Sequence, residues 1–276
     1  MEDFWIEHRY SSCNYQLRHH YEYTYQALFL LSGRISYQVG EKKYEVSRGG
    51  MIVLNTLEEH TLEVLEYPYE RYIIQIAPTF FRNEVKYPEI ISIFIRRPAD
   101  FSHLLILKEP VWNYIYGLIQ EMEREYLGRR PYWDMFVGAD LRKLFITVFR
   151  ECEKALSVQK MSSSTEIAYR VMNYLERHYT EDISLDSVAA ALFLNKNYIA
   201  HVFKDETGYS PMDYTISLRM SHAKALLMET NQSISDIAQK CGYTDFTYFS
   251  KQFKKHTGFS PTVFRKSEIN RMEDKK

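Results

Sequence analysis

Asn197, Ala200 and His201 are followed, fifty residues later, by Thr247, Ser250 and Lys251 at the same spacing. These side chains are short or polar, and each set falls on one side of a helix. Such a face can hydrogen-bond to flat targets met edge-on, such as the base edges in a DNA major groove. Lys251 can donate to guanine O6 and N7, a contact that discriminates by about 1–3 kcal/mol. Phe246 opens the second set. Lys196, Lys204, Lys254 and Lys255 flank the two sets, and their point charges suit phosphate oxygens. Catalytic signatures are missing: the sequence has no nucleophile motif, P-loop or glycine-rich dinucleotide turn. An enzyme is therefore not expected, and no cofactor is implied.

Both faces belong to a longer repeat. Phe203–Pro211 reads FKDETGYSP and Phe253–Pro261 reads FKKHTGFSP. A repeat of this length marks two copies of one supersecondary unit. In the first copy Ser184 is the expected N-cap of a short helix carrying Leu185, Val188 and Leu192. Asn195 caps the next helix, with Ile199, Val202 and Phe203 inward. In the second copy Ser235 is expected to cap the supporting helix, Gly242 to permit the tight turn, and Asp245 to cap a helix with Phe249 and Phe253 inward. Residues 211–229 join the copies. Pro211 suits a first turn, and Met212, Ile216, Met220, Ala223 and Leu227 form an apolar stripe. Nineteen helical residues span about 28 Å, close to the roughly 34 Å between successive major-groove faces.

These residues resemble the DNA-binding domain of AraC/XylS-type transcriptional regulators. The resemblance rests on Leu185-x-x-Val188-Ala189, Asn195-x-x-Tyr198-Ile199-x-x-x-Phe203-Lys204, Thr207-Gly208-Tyr209-Ser210-Pro211 and Arg219-x-x-x-Ala223. It continues through Ile234-Ser235-Asp236-Ile237-Ala238, Cys241-Gly242-Tyr243, Tyr248-Phe249-x-x-x-Phe253-Lys254 and Gly258-Phe259-Ser260-Pro261-x-x-Phe264-Arg265. It implies an all-α domain of seven helices over 166–270 with two helix-turn-helix motifs. Base contacts are implied for Asn197, Ala200, His201, Phe246, Thr247, Ser250 and Lys251. The family often has Arg where His201 stands. Implied partners are double-stranded DNA, a small-molecule effector of the sugar class, a second copy of the chain and RNA polymerase, in a transcription activator.

Upstream, short apolar runs between turn signals over 24–80 read as antiparallel strands. Two helices follow, over 111–126 and 132–156, and 158–165 is expected to be a linker. Arg18-His19-His20-x-Glu22, Gly33, Gly40, Gly49-Gly50-Met51 and His60 resemble the cupin-type sensor barrel of the same regulators, which makes 1–157 an all-β cupin-like effector-binding and dimerisation domain. Fifteen of the 23 tyrosines precede residue 133, and their polar-tipped rings suit a ligand lining. Arg18, His20, Tyr25, Tyr37 and His60 are the expected effector contacts. Val137, Leu141, Leu144 and Val148 lie close to a heptad seam and are the expected dimer contacts. His20 is followed by Glu22 rather than by a second histidine at that spacing, so no metal site is expected. A cupin metalloenzyme with a helical appendage is the alternative.

Charge discriminates weakly. The net charge is −1, and residues 160–276 hold 16 Lys and Arg against 14 Asp and Glu. Cys13, Cys152 and Cys241 are scattered and odd in number, which argues against a disulfide framework and fits a reducing cytosol. No membrane span is expected, and a cytoplasmic protein is.

Overall fold

The computed structural model describes residues 4–13, 24–56, 58–96, 101–153, 156 and 163–266. Arg18 and His20 lie outside the described residues, as do residues 158–162 of the expected linker. The chain divides into two compact units that meet in sequence at Glu166 and Ile167.

The first unit is built on a six-stranded antiparallel sheet. Its strands are β1 (Phe4–Ser11), β2 (Tyr25–Val39), β3 (Lys42–Val46), β4 (Gly50–Leu54), β5 (His60–Ile76) and β6 (Leu104–Ile106). The order is β1-β5-β2-β4-β6, with β3 paired to β2. Among the described residues no ladder joins β1 to β6, so the expected barrel appears here as an unclosed sheet.

The short apolar runs at 26–31 and 35–39, expected as separate strands, are one long strand β2, and those at 61–65 and 72–76 are one long strand β5. The β2–β5 ladder runs from Tyr25↔Ile76 to Val39↔His60, with register shifts between Leu30 and Ile35. Gly33 sits there at φ 82°, and a Cβ on it would lie 2.5 Å from the Glu66 carbonyl oxygen. The irregularity inverts the side-chain alternation. Leu28 and Leu30 before it share one core cluster with Ile35, Tyr37 and Val39 beyond it. On β5, Tyr69 and Ile73 join the same cluster as Leu62.

The other side of the first half of β2 packs on helices. Among the described residues four helices lie wholly within this unit, not the expected two: α1 (Pro78–Val85), α2 (Pro88–Ile95), α3 (Val111–Gly128) and α4 (Trp133–Cys152). Tyr25 stacks on Phe94 at 4.6 Å and meets Phe81 edge-on. Phe145 of α4 packs against both Phe81 and Phe94. The expected dimer contacts are part of this interior. Val137, Leu141, Leu144 and Val148 are each 0% exposed, because α4 is packed by α1, α2 and α3. They offer no surface to a second chain.

The second unit is all helical among its described residues. It comprises α5 (Ser163–His178), α6 (Leu185–Leu192), α7 (Lys196–Thr207), α8 (Pro211–Glu229), α9 (Ile234–Lys240), α10 (Phe246–Thr257) and a helical stretch over 261–266. Ser163–Thr165, expected to end the linker, already lie in α5. The α8 stripe differs from expectation. Met220, Ala223 and Leu227 are buried, but so are Tyr214, Thr215 and Ser217, whereas Met212 and Ile216 are half-buried. The reason is that α7, α9 and α10 all pack on α8, so it has no single inward stripe.

Phe145→Ala is expected to lower stability by about 3–5 kcal/mol, because the ring is fully buried between two other aromatic rings. Denaturant unfolding against the parent protein measures this.

Candidate nucleic-acid interface

Each helix-turn-helix is assembled by local hydrogen bonds. Ser184 Oγ accepts from the Ser187 amide at 3.1 Å, and Ser187 Oγ accepts from the Ser184 amide at 3.0 Å, a capping box that starts α6. Asn195 Oδ1 accepts from the amides of Asn197 and Tyr198 and starts α7. In the second unit Ser233, not Ser235, caps α9 by accepting from the Asp236 amide at 3.1 Å; Ser235 is already inside the helix. Asp245 Oδ1 accepts from the Tyr248 amide at 2.9 Å and starts α10.

The two turns solve one conformational problem differently. Gly242 adopts φ 81° and Phe193 φ 55° at the matching place. Gly242 is also confined, since a Cβ on it would lie 2.6 Å from the Thr180 carbonyl oxygen. Phe193 is 93% exposed and holds the left-handed conformation without glycine's freedom.

Arg219 of α8 ties this region together. Its Nε donates to the Tyr179 carbonyl at 2.6 Å and an Nη donates to the Glu181 carbonyl at 2.7 Å. Its guanidinium also lies 5.1 Å from the centre of the Tyr243 ring, beside the second turn. Burial pushes the Tyr243 hydroxyl up to about 12 and the Cys241 thiol up to about 12, so both stay neutral here.

With Ile199, Val202, Phe203, Phe249 and Phe253 buried, the expected reading faces point outward. Asn197, His201, Phe246, Thr247 and Lys251 are exposed, and Ala200 and Ser250 are half-buried. Of the flanking cations, Lys204, Lys254 and Lys255 are exposed. Lys196 is also exposed but lies 2.8 Å from Asp186 Oδ1. His201 Nε2 lies 3.3 Å from Asp205 Oδ2. Sequence inspection missed both carboxylates, although Asp205 stands one helical turn from His201.

Residues 188–267 match the family model for a helix-turn-helix domain. Residues 188–267 of the second unit are thus a helix-turn-helix domain of AraC type. The chain is 36% identical over 105 residues to an uncharacterized HTH-type transcriptional regulator, YisR, of Bacillus subtilis, covering 38% of this chain and 37% of that protein. It is 32% identical over 132 residues to the lactose operon transcription activator of Staphylococcus xylosus, covering 48% of this chain and 47% of that protein. The chain thus spans less than half the length of these curated relatives. Unsaturated fatty acid bound ToxT from Vibrio cholerae has the same fold, with a TM-score of 0.61 at 15% identity, over 96% of this chain and 95% of that one. That structure extends the likeness beyond the AraC-type domain to the fold of the N-terminal unit.

In the N-terminal unit the structure brings together two of the expected effector contacts. Tyr37 and His60 stack at 5.5 Å, and both are buried. Tyr25 does not join them. The irregularity at Gly33 puts it on the helix-covered side, against Phe81 and Phe94. Near His60 lies a cluster that sequence inspection did not reveal. His103 Nε2 and Glu58 Oε1 are 2.8 Å apart and nearly buried, and Tyr44 Oη is 2.9 Å from His103 Nδ1. Gln26 was also missed. It shares the face of Leu28 and Leu30, and its buried Oε1 has no hydrogen-bond partner among the described residues. Among the described residues no group of three His, Cys, Asp or Glu side chains gathers to hold a metal. No helix among them is long and apolar enough to cross a membrane.

Gly242→Ala is expected to destabilise the AraC-type domain by about 1–3 kcal/mol, whereas Phe193→Gly should stay within about 1 kcal/mol of the parent. Denaturant unfolding of the two variants checks the contrast. A pH effect follows from two histidines. Burial and Lys240 hold His222 below its ordinary value, and burial, Lys255 and Lys224 do the same for His256. Folding therefore favours the neutral rings, and the associated stability is present above about pH 6.5 and lost as pH falls through the lowered folded values. Amide protection factors in α8 and α10, which correct for the intrinsic slowing of exchange in acid, should fall as pH drops below about 6.5, and less so in the His222→Gln, His256→Gln double variant.

Proposed function

We propose that this protein is a sequence-specific DNA-binding transcription regulator whose N-terminal unit takes a small-molecule effector. The observation that carries the reading is the pair of capped helices, α7 and α10, whose polar faces are exposed while both pack on α8. A helix of that length suits two readers placed about one duplex turn apart. Asn197, Ala200 and His201 then meet one stretch of base edges. Phe246, Thr247, Ser250 and Lys251 meet the other. Lys204, Lys254 and Lys255 reach phosphates.

For the effector, support comes from the inner face of the sheet. Tyr37, His60 and Gln26 put polar groups into an otherwise apolar layer, and a buried acceptor such as Gln26 Oε1 is satisfied when a ligand hydroxyl donates to it. Arg18 and His20 belong to the same proposal but lie outside the described residues. Sugar-type effectors fit such a mixed lining, and the names of relatives refer to sugar operons. We further propose a cytoplasmic protein, acting as an activator through RNA polymerase and as a homodimer. The dimer contacts must lie elsewhere than the buried α4 stripe.

Footprinting on the DNA flanking the gene, with and without a panel of sugars, tests the reading. A protected site of two adjacent major-groove contacts that responds to one sugar is expected; no protection at any salt would end it. Within that site, Lys251→Ala should relax base preference in one half and His201→Ala in the other, each at a cost of about 1–3 kcal/mol. Uniform weakening across all sequences would instead make these residues phosphate contacts.

A further inference from the structure

The two readers share a backbone plan but differ in charge. Residues 184–207 contain two lysines against three carboxylates, Asp186, Asp205 and Glu206. Residues 233–257 contain four lysines against two carboxylates, Asp236 and Asp245. Geometry sharpens the contrast. In the first reader, Lys196 faces Asp186 at 2.8 Å and His201 faces Asp205 at 3.3 Å. In the second, Lys251, Lys254 and Lys255 are exposed and form no ion pair among the described residues.

A lysine that already faces a carboxylate gains little from a phosphate. Binding exchanges one anion for another and leaves the carboxylate close to the DNA. We propose that Asp186 and Asp205 attenuate the first reader, leaving Lys204 as its one lysine without an ion pair among the described residues, so that the second reader supplies most of the electrostatic attachment. The proposal rests on the DNA-binding reading and deepens it. It assigns a role to two acidic residues on a surface that would otherwise be expected to be basic.

The separation from DNA matters because these charges lie at the face that would meet phosphates. At physiological salt the screening length is about 8 Å, so a carboxylate next to Lys196 or His201 acts on the same phosphates as its partner. Distant acidic groups do not. Each phosphate neutralised contributes about 0.9 to the slope of log affinity against log salt, which makes the distribution of attachment measurable residue by residue.

The experiment is a salt titration of full-length protein on a mixed-sequence DNA duplex several turns long, followed by fluorescence anisotropy. Lys254→Ala and Lys255→Ala are each expected to lower the slope by about one, and Lys196→Ala to leave it nearly unchanged. Asp186→Asn should raise the slope by about one and tighten binding several-fold at low salt, since it releases Lys196. Asp205→Asn is the second gain-of-affinity variant, and it removes a carboxylate from the C-terminal half of α7, where the helix dipole disfavours it. Circular dichroism confirms that each variant is folded. Equal slope losses for Lys196→Ala and Lys254→Ala, or no gain in either aspartate variant, would overturn the proposal while leaving DNA binding intact. If the parent protein shows no salt-dependent binding to any duplex, the DNA-binding reading falls and this proposal falls with it.

Discussion

Arg219 is the interaction on which the second unit depends. One guanidinium satisfies two carbonyls just beyond α5 and lies over the ring that follows Gly242. Its fixed fork of donors suits this task better than a lysine ammonium would. The carbonyls of Tyr179 and Glu181 follow the last turn of α5, where backbone acceptors lack helical partners. Thr180, between them, presses on the second turn so closely that only glycine fits. The long helix, the end of α5 and the second reader are thus held through one side chain and one missing side chain.

How much of this was legible depended on how local its cause was. The repeat, the caps at Ser184, Asn195 and Asp245, and the turn at Gly242 follow from a few adjacent residues, and those were readable. The cap of α9 was misplaced from Ser233 to Ser235 because the two serines stand two residues apart and only the backbone chooses between them. The α8 stripe failed for a different reason: a helix packed by several neighbours has no one inward side. Helices α1 and α2 were missed because they have only eight residues each, and the run Ile90–Ile95 has a single polar residue, Ser92, too few to reveal helical period. β1 was missed because Phe4, Trp5 and Ile6 are consecutive apolar residues without alternation, and its partner β5 lies some sixty residues away.

The reading faces were more legible than their electrostatics. Outward positions follow from which residues are buried. Whether an outward cation is available depends on neighbours that the helix brings near, such as Asp205, or that another helix supplies, such as Asp186. In the N-terminal unit the buried pair Glu58–His103 has the same character. Its members are 45 residues apart, and Tyr44 from a third segment completes it. Nearly buried polar side chains cost desolvation and are tolerated where further hydrogen bonds complete them, as Tyr44 and the Asn55 amide do here.

The irregularity at Gly33 carries a consequence for how this sheet can change over time. A strand's pleat is a two-letter code, and between Leu30 and Ile35 the code is inverted. Deleting one residue beside it while the irregularity persists would turn Ile35, Tyr37 and Val39 toward the side now held by Ser36 and Gln38. The ladder itself could survive, since backbone pairing is indifferent to which side chains face which way, but the core would be exchanged for polar groups. Length variation among descendants of this chain should therefore collect in the connections between strands, with the middle of β2 frozen in residue count even where its residue types drift.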